Sequence, residues 1–301
     1  MDASIIGNLV IDRIFVEEDL VYTSPGGTAF YGGMALAKLG ADVSLVSKIG
    51  SDYPEHFSDI LNEAGIDLRS VTHSASCPST SFLWHYSHNL VNREGRISCR
   101  GPAIKPEDIP RSINNSGYVQ LGIVAGELDP QVLSTLDFNI IHTIAADMHL
   151  FRVFSEDGRI TLGQGDRFRP FLQMVRVVKG SFEEIASFAC TDDMRQALRK
   201  IASMGPRILL ASNGPQGSIL LAGGEFFEIP AFRVKEVDAT GAGDVFLSTF
   251  LFFYCLRGED PITSAYLASA AASFAVEGSG VSTLGGEKEI RERAELLRRP
   301  C

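Results

Sequence analysis

Val237-Asp238-Ala239-Thr240-Gly241-Ala242-Gly243-Asp244 runs directly into the apolar Val245-Phe246-Leu247 and a long helical stretch. The two glycines free the backbone to turn tightly and to aim several amide N–H groups at one point, the N-terminus of the helix, where the dipole also favours an anion. Such an entry can hold a developing phosphate charge. Asp244 stands beside it, placed to take a proton from an attacking hydroxyl. Phosphoryl transfer has a loose transition state, so positioning outweighs base strength, and a carboxylate of ordinary or low pKa is expected to suffice. The plainer reading of the same aspartate is a helix cap, stabilising in a first turn without any chemistry.

Outward from this run, apolar segments of strand length alternate with segments of helix length, the pattern of an α/β fold with a largely parallel sheet. Ile5 to Val10 begins it. Thr28 to Leu39 reads as a helix with Thr28 as N-cap and Gly40 as stop, followed by a strand at Val43 to Val46 and a helix over 53–64 closed by Gly65. Later helices are expected to end at Gly205 and Gly258. Arg13 to Ser24 and Thr80 to Arg100 break the alternation. In the second, Phe82, Trp84 and Tyr86 alternate with polar residues before a turn near Glu94-Gly95, so both segments read as antiparallel strands of a small second layer. That layer is either a lid over a cleft or an ordinary edge hairpin. The expectation is one domain over 1–301: a three-layer α/β/α arrangement with a β-rich lid from about 13–24 and 80–100. Phe138 to Arg159 fits neither the helical nor the strand period.

A chain of 301 residues, 45% hydrophobic and 21% charged, can bury a large core. The strongly apolar stretch Val245 to Leu256 falls short of the ~20 residues that span a bilayer. Met1-Asp2-Ala3-Ser4-Ile5-Ile6-Gly7 reads as a first strand rather than a secretory signal, so a cytoplasmic protein is expected. Five cysteines without paired spacing fit reduced thiols, not a disulfide framework or zinc site. A net charge of -10 argues against nucleic acid as a partner, and any phosphate ligand must be held locally.

Asp238-Ala239-Thr240-Gly241-Ala242-Gly243-Asp244 resembles the signature of the ribokinase-like (PfkB) carbohydrate kinase family. The resemblance implies Asp244 as catalytic base, with Gly241, Ala242 and Gly243 forming the anion hole and Asp238 and Thr240 on the nucleotide side. Pro25-Gly26-Gly27-Thr28-Ala29 is similar to the family's N-terminal Gly-Gly motif, and Gly7-Asn8 with Asp12 to its first strand. This implies that Asn8, Asp12, Gly26, Gly27 and Thr28 face the acceptor. Ile49-Gly50-Ser51-Asp52 resembles the following Gly-x-Asp turn. Ser181-Phe182-Glu183-Glu184 resembles the Asn-x-x-Glu motif, with Ser in place of Asn, and implies that Glu184 organises Mg²⁺ through water. Ser212-Asn213-Gly214-Pro215-Gln216-Gly217 stands where the family has a Thr-x-Gly-x-x-Gly turn, which implies Ser212, Gly214 and Gly217 beside the nucleotide.

Thr28 replaces the Asn of many sugar-specific members, weakening a typical ribose or fructose reading. Leu162-Gly163-Gln164-Gly165 with Arg167 and Arg169 resembles an Asp-x-Gln-Gly-x-x-Arg element of the inositol kinase-like branch, with Gly163 where an aspartate is common. Leu121 to Glu127 and Ala275 to Gly278 point the same way, placing Gln164 and Arg167 at the acceptor. The resemblance implies ATP and Mg²⁺, leaves a monovalent cation open, and makes a lid-mediated homodimer an expectation. The acceptor is a sugar or polyol, with a nucleoside as alternative because Phe82, Trp84 and Tyr86 could stack on a base. A non-catalytic ligand-binding protein on the kinase fold is the alternative of another class. The six histidines, His149 among them, show no metal-ligand spacing and read as surface or hydrogen-bonded groups. Arg291, Arg293, Arg298 and Arg299 read as the solvated face of a terminal helix.

Overall fold

A computed structural model describes residues 1–86, 93–163 and 169–298. The chain opens with β1 (Ala3–Ile6), β2 (Val10–Val16), β3 (Asp19–Gly26), α1 (Gly27–Lys38), β4 (Val43–Gly50), α2 (Glu55–Glu63) and β5 (Asp67–Ser74). There follow β6 (Ser81–Tyr86), β7 (Arg93–Cys99), β8 (Tyr118–Leu121), β9 (Ile144–Asp147), β10 (Arg152–Phe154), β11 (Ile160–Leu162) and α3 (Arg169–Leu172). The remainder is β12 (Val177–Ser181), α4 (Phe182–Ala189), α5 (Met194–Ala202), β13 (Ile208–Ser212), β14 (Ser218–Ala222), β15 (Glu225–Ile229), α6 (Ala242–Leu251), α7 (Pro261–Ala275) and α8 (Glu287–Arg298).

The central sheet has the order β15-β14-β13-β12-β9-β8-β1-β4-β5. Pairing is parallel from β13 to β5, and β14 and β15 continue it antiparallel. Strands buried on both faces must send alternate side chains into separate cores. Ile5, Leu45, Val177 and Leu210 pack under α1, α6, α7 and α8. Their neighbours Ile6, Val46, Val178 and Leu209 pack under α4 and α5. This is the expected three-layer α/β/α arrangement. Among the described residues, no helix is long and apolar enough to cross a membrane.

The second layer is a four-stranded sheet ordered β3-β2-β6-β7. Its outer pairs are antiparallel as expected, while the central pair β2 and β6 is parallel. Glu94 and Gly95 themselves lie within β7, and the connection before it, 87–92, lies outside the described residues. Gly95 stands there because the Trp84 ring lies where its Cβ would be, so the glycine marks a close packing contact rather than a change of direction. Thr28 does not cap α1. Gly26 is the N-cap residue, and the Thr28 hydroxyl is used elsewhere. Gly40, Gly65 and Gly258 all have φ between 70° and 79°, the left-handed geometry that ends helical segments. The unreadable stretch before Arg159 is a succession of short pieces, β9, a 3₁₀ turn at Met148–Phe151 and β10, none long enough to show a period.

Candidate active site

Ligands in open α/β sheets bind beyond the carboxyl ends of the strands, and the suspected residues gather there. Asp147 closes β9, Ser181 closes β12 and Ser212 closes β13, with Ser181 and Ser212 side by side in register. α6 enters above them. Its N-cap Gly241 has φ 78°, and a Cβ there would run into the Tyr31 ring. Glycine is therefore required twice, by conformation and by space. A Cβ on Gly243 would come within 2.5 Å of Lys179 Nζ. Asp238 prepares the turn by accepting a hydrogen bond from the Thr240 amide at 2.9 Å.

Asp244 lies in the first turn of α6 and is buried. The Thr28 hydroxyl donates to its Oδ1 at 2.5 Å. Burial pushes the Asp244 carboxyl above its ordinary value and the Asp147 carboxylate adds to that; His149, the Thr28 hydroxyl and Lys179 offset only part. Desolvation thus outweighs the cations and the hydrogen bond that favour the charged form.

A ring of charges surrounds Asp244. Lys179, buried within β12, donates to Asp147 Oδ2 at 2.9 Å. Burial alone would lower the Lys179 pKa, but Asp147, Glu184 and Asp244 raise it and keep the ammonium charged. His149 Nε2 lies 3.5 Å from Asp147 Oδ1 and 3.4 Å from Glu184 Oε1. Arg152 reaches the same Glu184 oxygen at 3.4 Å. Burial would raise the Glu184 carboxyl, yet His149, Lys179 and Arg152, with the Ser181 amide, hold it down to about 2. Ser181 and Glu184 also form a reciprocal capping box: the Ser181 hydroxyl accepts from the Glu184 amide, and Glu184 Oε2 from the Ser181 amide. Ligand atoms of Asp147, His149 and Asp244 lie within 4.8 Å of one another and could hold a metal ion.

On the other side of Asp244, Asp12 accepts a hydrogen bond from Trp84 Nε1 at 2.9 Å, and a Cβ on Gly26 would collide with its carboxylate. Gly27, at φ 83°, leads straight into Thr28, so Asp12, Gly26, Gly27, Thr28 and Asp244 form one continuous wall. Asn8 is fully buried and braced: its amide donates to the Pro102 carbonyl and accepts from the Lys48 amide. Gly214 and Gly217 shape the 3₁₀ turn beyond β13, with φ 52° and 94°. Gln164 and Arg167 lie outside the described residues.

Asp147, His149, Arg152 and Lys179 were not anticipated. Two signals for them exist in the sequence: a charged residue ending or interrupting an apolar strand, as in Ile144-Ala145-Ala146-Asp147 and Val177-Val178-Lys179, where an unpaired charge would be prohibitive.

Residues 2–287 match the family described as pfkB family carbohydrate kinase. The chain belongs to that family. This PfkB-family protein is an enzyme, a phosphotransferase. Over 297 residues it is 25% identical to a deoxyribokinase of Salmonella typhi, covering 94% of this chain and 95% of the relative. It is 28% identical to an inositol 3-kinase of Arabidopsis thaliana, covering 81% of this chain and 65% of the relative. Among solved structures, a pyrophosphate-dependent kinase in the ribokinase family superposes with a TM-score of 0.81 at 22% identity, covering 97% of this chain and 99% of that one. That likeness establishes the fold.

Proposed function

We propose that this PfkB-family kinase transfers the γ-phosphate of ATP to a hydroxyl of a sugar or polyol. The observation that carries the reading is the Asp244 carboxylate, buried with a raised pKa directly behind the Gly241–Gly243 turn and held by the Thr28 hydroxyl. In this reading the acceptor hydroxyl lies against Asp244 and gives its proton to Oδ2. The amides of Gly241, Ala242 and Gly243 face the transferring phosphate, where donors fixed in advance stabilise developing charge. Asp12, at the far end of the same wall, orients other hydroxyls of the acceptor. The turns at Ser181 and at Ser212 to Gly217 border the donor.

Mg²⁺ would supply charge neutralisation between phosphate oxygens. The carboxylates of Glu184 and Asp147 fit a hydrated ion of that kind; the His149 imidazole is a softer donor than Mg²⁺ prefers. A sugar or polyol is favoured over a nucleoside because Phe82 is buried and stacks on Trp84, whose indole N–H is engaged by Asp12. The buried Phe82 ring is closed to a base, and Trp84 is committed to Phe82 and Asp12. The four-stranded sheet serves as the lid, and Leu20 and Val21, exposed on its edge strand β3, suit pairing of two lids in a homodimer.

The test is a screen of sugars, inositols and nucleosides with Mg²⁺, reading ADP release from ATP and, with pyrophosphate as the control donor, formation of the phosphorylated acceptor. Magnesium-dependent ADP formation on adding one polyol or sugar is expected. Response to nucleosides alone, or to pyrophosphate and not ATP, would replace the acceptor or the donor in this reading.

A further inference from the structure

A second concavity lies at the opposite end of the central sheet. Arg176 immediately precedes β12 and Arg207 immediately precedes β13, whereas Ser181 and Ser212 end the same five-residue strands beside the active site. Five residues of strand put about 16 Å between the two ends. The cavity, of about 610 Å³, is lined by Arg176, Arg199 and Arg207 around a floor that includes Ile208, Leu221 and Tyr254.

Arg199 rests over the Phe226 ring at 5.1 Å from its centroid. Among the described residues, none of the three arginines pairs with a carboxylate. Asp260, next to the lining residue Pro261, is already committed to the Ile262 and Thr263 amides and the Thr263 hydroxyl. In a chain of net charge -10, three arginines lining one small hollow favour an anion there. Guanidinium forks match phosphate oxygens. The floor of Ile208, Leu221 and the Tyr254 ring matches an apolar or planar body, and the volume falls in the ~300–1,000 Å³ range of small-ligand sites.

Tyr254 belongs to a π-helical turn, Phe252–Leu256, that continues α6. Such wide turns are frequent at functional positions. One helical rod thus carries Asp244 at its start and a wall of this cavity near its end.

We propose that the arginine-lined cavity binds an organic phosphate with a planar or apolar body, of nucleoside monophosphate size, separately from the catalytic cleft. Isothermal titration with AMP, and with inorganic phosphate and adenosine as partial ligands, tests this on the wild type and on Arg176→Gln/Arg207→Gln. Losing charge-assisted contacts should weaken AMP binding at least about tenfold, leave basal turnover unchanged, and make each partial ligand weaker than AMP. All three arginines are exposed. Should the double variant lose its thermal transition, Arg199→Gln alone provides the same comparison. AMP binding of equal strength in wild type and variants would locate it in the catalytic cleft and overturn the proposal. So would the lack of any heat at millimolar AMP, and phosphate binding as tight as AMP would overturn the assignment of an organic ligand.

Discussion

The turn from Gly241 to Asp244 and the segment from Asp147 to Arg152 both supply polar groups to one charged cluster, yet they are built on different terms. The first is a backbone device: left-handed geometry at Gly241, a missing side chain at Gly243 and a helix start are needed in fixed order, so the sequence must spell them contiguously. The second is a side-chain device. Asp147 ends a four-residue strand, His149 sits in a 3₁₀ turn and Arg152 opens a three-residue strand, and their partners Lys179 and Glu184 come from β12 and α4. Topology, not local order, brings these together.

The comparison breaks first at Lys179. In Lys179→Met the buried Asp147 carboxylate loses the ammonium that compensates it, and a cost of about 3–5 kcal/mol in urea denaturation is expected. Lys179→Met/Asp147→Asn should recover most of that loss, because the double change removes both charges. A single variant as stable as the wild type would show that the pair contributes nothing to the fold.

Asp244→Asn probes the backbone device and should act in the opposite sense. The amide is nearly isosteric, so the thermal midpoint is expected to hold while turnover falls at least ~10²-fold, as for loss of a general base. Near-normal turnover would reduce Asp244 to a cap.

Legibility follows the same division. The α/β layering was readable because alternate residues such as Ile5 and Ile6 enter different cores, which makes such strands predominantly apolar. The strands of the small sheet were readable from period-two patterning, although a glycine admitted by the Trp84 ring, as Gly95 is, looks the same in sequence as a turn glycine. Ser181 and Glu184 show a second ambiguity. The Ser-x-x-Glu spacing that resembles a kinase motif is also a capping box, and only the convergence of His149 and Arg152 on Glu184 separates a charged site from a plain helix start. His149 was passed over because its partners are distant in sequence or lie in a turn with no helical spacing.

Arg152→Gln sharpens that point with a smaller effect. The depressed Glu184 pKa means that its carboxylate stabilises the fold fully above its unfolded value near 4.5, and that this contribution is lost as pH falls toward about 2. Removing one of the cations moves the folded pKa back toward 4.5. The variant should therefore be about 1–2 kcal/mol less stable at neutral pH and, having less of this contribution to lose, should lose less on acidification and converge with the wild type toward pH 2, read as thermal midpoints across the acid range. Identical acid profiles would mean that Arg152 does not act on Glu184.

Thr28→Val is the most delicate test, because it touches the hydrogen bond from the Thr28 hydroxyl to Asp244. The Thr28 hydroxyl favours the charged Asp244 and opposes the burial that raises its pKa. Without that donor the folded pKa rises further. A base must be deprotonated, so activity is present above this pKa and is lost as pH falls through it. The acid limb of kcat/KM should move upward by less than about one pH unit, the ~1.4 kcal/mol of a single hydrogen bond, while turnover well above the limb changes little. A lowered plateau with an unmoved limb would assign Thr28 to holding the acceptor instead. An acid limb that persists in Asp244→Asn would belong to another group, with the nearby Asp147 carboxylate as the next to test.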